Sequence, residues 1–105
     1  MKRTCTFVIG PRCSGKTHFL FEEAEKTGAI IITSQQIQAD LLKLRAKEAE
    51  YDIPDPICWE TYQKLNFPEN TRFLIDDVQD LIFEIFGGKV DYAAVLDTLP
   101  TIHFH

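Results

Sequence analysis

Eight consecutive residues, Gly10-Pro11-Arg12-Cys13-Ser14-Gly15-Lys16-Thr17, have the types and spacing needed to hold a polyphosphate. They satisfy G-x-x-x-x-G-K-[ST] at every fixed position. A phosphate chain carries several negative charges and calls for many short hydrogen bonds. Backbone N–H groups supply these only where the chain wraps closely, so glycine belongs at Gly10 and Gly15, where a Cβ would obstruct. Lys16 is expected to reach the β- and γ-phosphates as a point charge, and Thr17 to place its hydroxyl on Mg2+. The loop from Gly10 to Thr17, with Pro11, Arg12, Cys13 and Ser14 inside it, is therefore the predicted nucleotide-binding segment.

A second chemical signature is Arg72-Phe73-Leu74-Ile75-Asp76-Asp77. Three apolar residues ending in two acids read as a buried strand that delivers carboxylates at its C-terminal end, where open α/β sheets bind ligands. Asp76 is expected to hold Mg2+ through water. Asp77 stands where a second acid can orient or deprotonate an attacking water, with Gln79 as the other candidate for that role. Asp77 is equally well placed to cap the helix that follows.

These residues need elements to position them. Residues 5–9 read as a strand before the loop. A helix is expected from Lys16 to about Lys26, with Phe19, Leu20 and Ala24 inward and Gly28 as its stop. Residues 29–33 form a continuous apolar run, as in a parallel strand covered on both faces. Thr33 or Ser34 can cap a second helix whose inner face would be Ile37, Leu41, Leu44 and Tyr51, leaving Lys43, Arg45, Lys47, Glu48 and Glu50 in solvent. The prolines in residues 52–56 exclude helix there. Residues 57–59 read as a short strand and 60–65 as one or two helical turns. Trp59 and Tyr62 there can stack on a base, but partial burial is the simpler reading. After the acidic strand, Val78, Leu81, Ile82, Ile85 and Phe86 mark a helix stopped by Gly87-Gly88. A short helix over residues 91–98, with Val90, Ala94, Val95 and Leu99 inward, and a last strand within residues 101–105 complete the pattern. The fold class expected is α/β, a three-layer sandwich on a small, mostly parallel sheet of four to five strands, forming one domain over residues 1–105.

Composition narrows the partners. Sixteen acidic residues against eleven Lys and Arg give a formal net charge of -5, which argues against a strong grip on nucleic acid. Hydrophobic residues make up 45% of the chain and eight are Phe, enough for a packed core. Three cysteines (Cys5, Cys13 and Cys58) have no metal-ligand spacing and read as reduced thiols of a cytoplasmic protein. Cys13 differs because its oxidation would disturb the phosphate loop. His103 and His105 lack a third metal ligand. No apolar run is long enough to cross a membrane.

With the loop of residues 10–17, the segment Leu74-Ile75-Asp76-Asp77-Val78-Gln79-Asp80 resembles the first RecA-like half of superfamily-one helicases and related P-loop ATPases, whose acidic motif reads Asp-Glu-Ala-Gln-Asp. Asp76, Gln79 and Asp80 fit it directly. The resemblance implies ATP, or another nucleoside triphosphate, as ligand and Mg2+ as cofactor. Residues 29–34 look like that family's second strand and turn, and residues 56–65 loosely like its segment that touches single-stranded nucleic acid. The family's catalytic glutamate is here Asp77, one methylene shorter, and geometry at that scale can cost about 10²-fold in rate. Its later motifs, its completing arginine and its second lobe have no counterpart in this chain, so an arginine finger would come from a partner.

That resemblance also implies a flanking last strand the chain lacks, which leaves the strand before the loop as an exposed edge and leads to the expectation of a homodimer or a larger protein partner. Two functions stay open: nucleotide binding with weak Mg2+-dependent hydrolysis by a single lobe, or a hydrolysis-deficient nucleotide-binding regulator of a helicase-like motor or nucleic-acid machinery. A small-molecule kinase is a third, without an Arg-rich lid segment to support it.

Overall fold

The computed structural model describes residues 5–12, 14–95 and 100–105. In chain order the elements are β1 (Phe7–Ile9), α1 (Lys16–Thr27), β2 (Ile30–Thr33), α2 (Gln36–Glu48), β3 (Ile57–Cys58), α3 (Trp59–Lys64), β4 (Phe73–Ile75), α4 (Val78–Ile85) and β5 (Thr101–His103). The class is α/β, and every strand pairing is parallel. The strands form two small sheets, one ordered β1-β5 and the other β3-β2-β4, where a single sheet was expected. Among the described residues, no ladder joins β1 to β4.

The three-stranded sheet is covered on both faces, as the unbroken apolar run of β2 requires. Alternation along a strand sends neighbouring side chains to opposite faces. Leu74 of β4 and its register partner Ile31 of β2 meet the main core, made with Leu20, Phe21 and Ala24 of α1 and Leu42 and Ala46 of α2. Phe73 points the other way, into an aromatic cluster. Trp59 stacks on Tyr62 at 5.5 Å, Tyr62 stacks on Phe67 at 5.7 Å, and Phe73 meets Tyr62 and Phe67 edge-on at 5.3 and 5.1 Å. Trp59 and Tyr62 are thus partly buried and engaged with each other, as the simpler reading held.

Three expectations need correction. The inner face of α2 is Ala39, Leu42 and Ala46, while Ile37, Leu41 and Leu44 are exposed. Helical spacing alone favours the bulkier set, but the smaller side chains let the helix backbone lie close over the sheet. Gln35, not Thr33 or Ser34, occupies the N-cap of α2. Ser34 contributes indirectly, since its hydroxyl donates to Gln38 Oε1, which also accepts from the Gln35 backbone N–H at 3.3 Å. Residues 91–95 are not helical, and Tyr92, Ala94 and Val95 are exposed. The rest of that expected helix, residues 96–98, lies outside the described residues, as does Leu99.

The α2 correction makes a reciprocal prediction. Ala46 is 2% exposed, so Ala46→Leu overpacks the core and should cost about 1–3 kcal/mol. Leu44→Ala, on the open face, should stay within about 0.5 kcal/mol. Urea melts of both variants check this; the reverse order of effects would restore the face expected from spacing.

The strand before the loop is not left without a neighbour. β5 runs parallel to β1 with Phe7 opposite Thr101, Val8 opposite Ile102 and Ile9 opposite His103. The C-terminal segment therefore occupies one edge of β1, while the other edge has no strand partner among the described residues, so a homodimer or larger protein partner remains an expectation. Among the described residues, no helix is long and apolar enough to cross a membrane.

Candidate functional site

The loop from Gly10 leaves β1 and ends at α1, whose first residue is Lys16. Its two glycines are there for different reasons. Gly15 sits at the N-cap of α1 with φ 101°, in the left-handed region that side chains resist. Gly10 is required by close approach. A Cβ there would stand 2.7 Å from Ser14 Oγ and 2.8 Å from both the Cβ and the carbonyl oxygen of Phe104. Gly10→Ala must therefore push back either the loop or the C-terminal segment. We expect a loss of about 1–3 kcal/mol of stability, as for other overpacked sites, measurable by denaturant melt; an unchanged midpoint would show that the contact is easily relaxed.

Lys16 folds back into the loop it follows. Its ammonium donates to the carbonyl oxygen of Gly10 and, at 2.8 Å, to that of Pro11. Ser14 Oγ is buried without a hydrogen-bond partner among the described residues. An orphaned hydroxyl at Ser14 and a half-buried ammonium at Lys16 in the same loop fit a group with many acceptor oxygens. Cys13 lies outside the described residues.

Asp76 follows β4 directly, and its backbone N–H donates to Ile32 O at 3.1 Å, carrying the ladder one residue past the strand. Burial is the main cause that pushes its carboxyl above the usual range, with repulsion from Asp77 next. Arg45 and Lys16 oppose the shift, and Asp80 adds to it. Asp80 is also raised, first by burial and then by the charge of Asp77 and its hydrogen bond, against the pull of Gln38 and Arg12.

Asp76, Asp77 and Asp80 lie together between the end of β4 and the first turn of α4, while Lys16 and Arg12 bear on Asp76 and Asp80 through their charge alone. Asp77 has a structural task. Asp77 adopts φ 64°, uncommon for a residue with a side chain, and its Oδ1 accepts from the Asp80 backbone N–H at 3.2 Å as the cap of α4. Gln79 lies exposed in the first turn of α4. Thr17 is half-buried in the first turn of α1.

Among the described residues, no group of three or more His, Cys, Asp or Glu side chains is placed to hold a metal ion. A cation at Asp76 would draw its other ligands from Thr17, phosphate oxygens and water, the pattern Mg2+ favours. Beside Asp80, between the start of α2 and the end of α4, a cleft of about 370 Å3 is lined by Gln35, Gln38, Phe83 and Glu84 among others.

Three residues near the site went unnoticed in the sequence. Gln38 and Arg45 stand seven positions apart on α2, a spacing that puts them on one helix face. Arg45 is exposed, as its place on a solvated charged face implied, and what the pattern does not give is the reach of its charge to Asp76. Phe104 carries no local signal, because only the pairing of β5 with β1 brings it to the loop. No protein-family model matches this chain, and no curated protein or solved structure matches it.

Proposed function

We propose that this chain binds a nucleoside triphosphate, ATP in the first instance, as its Mg2+ complex, and hydrolyses it weakly. What supports the reading is the loop between β1 and α1 with Lys16 turned into it, together with a carboxylate, Asp76, at the C-terminal end of the parallel strand β4. In this reading the loop N–H groups and Lys16 hold the phosphates. Thr17 and Asp76 would hold the cation, which would supply neutralising charge to the phosphate oxygens. Gln79 or Asp77 orients the water. An arginine finger, supplied in cis or in trans, would complete catalysis.

A hydrolysis-deficient binding protein is the second reading, and one observation favours it. The Asp77 carboxylate is occupied in capping α4, and its backbone is held in a left-handed conformation. A group so engaged is poorly free to take a proton from water.

Calorimetric titration of the chain with Mg2+-ATP and Mg2+-ADP, followed by phosphate release from the same samples, separates the two. Binding with release supports the enzyme. Binding without release supports the regulator. Absence of binding overturns both.

A further inference from the structure

Phe104 touches the phosphate loop at both of its glycines. Its backbone N–H donates to Ile9 O at 2.7 Å, which extends the β1-β5 ladder to the residue just before Gly10. Its Cβ and carbonyl oxygen occupy the space that a Gly10 side chain would need. Its ring lies 3.8 Å from where a Gly15 Cβ would stand, and meets Phe19 of α1 edge-on at 5.7 Å. One residue therefore bridges these parts: its backbone holds the strand before the loop, its Cβ and carbonyl oxygen meet Gly10, and its ring spans Gly15 and the helix that follows. A loop that must present several N–H groups to phosphate benefits from fixed ends, since any ordering left until binding is subtracted from the affinity.

We propose that Phe104 is a positioning residue of the phosphate loop, holding Gly10 to Gly15 in the shape that accepts a nucleoside triphosphate, so that the C-terminal strand and nucleotide affinity are coupled. The proposal rests on the nucleotide-binding reading above. Coupling is reciprocal: if the Phe104 contact favours binding, binding must favour the contact. A ring that served only general packing would lower stability when removed without linking the two.

The test uses the full chain. Mg2+-ATP is titrated into wild type, Phe104→Ala, Phe104→Leu and Phe104→Tyr at a temperature where melting curves show each to be folded. Phe104→Leu keeps apolar volume and guards against misfolding of the alanine variant. Amide exchange at Phe104 is followed in wild type with and without Mg2+-ATP. We expect affinity at least tenfold weaker for the alanine variant, several-fold weaker for leucine and within about twofold of wild type for tyrosine, together with slower Phe104 exchange when nucleotide is bound. Equal affinities in the folded variants, or Phe104 exchange indifferent to nucleotide, overturn the positioning role while leaving the nucleotide site intact. Wild type that binds no Mg2+-ATP overturns the underlying reading and this proposal with it.

Discussion

Lys16→Ala should abolish measurable Mg2+-ATP binding, weakening it at least about 100-fold, which corresponds to about 2.7 kcal/mol. The size follows from what the ammonium is poised to do. It already donates to two carbonyl oxygens inside the loop, Gly10 and Pro11, so the geometry that would aim it at phosphate is set before any ligand arrives. Exchanging neutral carbonyls for phosphate oxygens gives the ammonium an ionised acceptor, so direct charge attraction is added to bonds that its own charge already strengthens. Lys16→Arg is the informative companion, because the wider guanidinium does not reproduce a compact point charge, and it should fail almost as completely. Stability should fall by no more than about 1–2 kcal/mol, the contribution of two such bonds at a half-buried position. Isothermal titration with parallel melts reads both quantities. A folded Lys16→Ala chain that binds Mg2+-ATP like wild type would falsify the assignment of the loop.

How much of this was legible beforehand depends on the range of the interactions. The loop, its strand and its helix are encoded within residues 5–28, and local rules of glycine, dipole and periodicity suffice for them. The same holds for β4, whose three apolar residues precede two acids. The inner face of α2 was not legible, because Ile37, Leu41 and Leu44 outweigh Ala39 and Ala46 in any hydrophobic pattern, yet a close helix–sheet approach prefers the smaller set. The pairing of β5 with β1 joins residues more than ninety positions apart, and its consequence at Gly10 depends wholly on that pairing. Gly10 illustrates the limit well. The motif demands glycine there, and a phosphate-binding argument explains it, but the contact that excludes a side chain in this fold is with Ser14 and Phe104. The roles of Arg12, Gln38 and Arg45 belong to the same class, being set by which ends of the sheet face one another.

Asp76→Asn should weaken Mg2+-ATP binding about tenfold or more while making the unliganded protein more stable at neutral pH. The two effects have one origin. Burial and the neighbouring Asp77 raise the Asp76 pKa above its unfolded value, with Arg45 and Lys16 offsetting only part of the shift. The folded state therefore holds the proton more tightly than the unfolded chain does. By linkage, the group contributes most to stability below its unfolded pKa, and that contribution is lost as pH rises through the folded pKa. Asparagine keeps the shape and removes the charge, so its advantage over wild type should be near zero in strong acid. It should then grow through the mildly acidic range and level off above it. Partial exposure screens the effect, so the expected result is its sign: a higher melting temperature than wild type above the mildly acidic range. Melting curves from acid to neutral pH, beside Mg2+-ATP titrations, test both halves. A variant less stable than wild type at every pH would make Asp76 a structural acid. A stabilised variant that has lost its Mg2+-dependent affinity is the signature of a carboxylate held at a cost for the cation it serves.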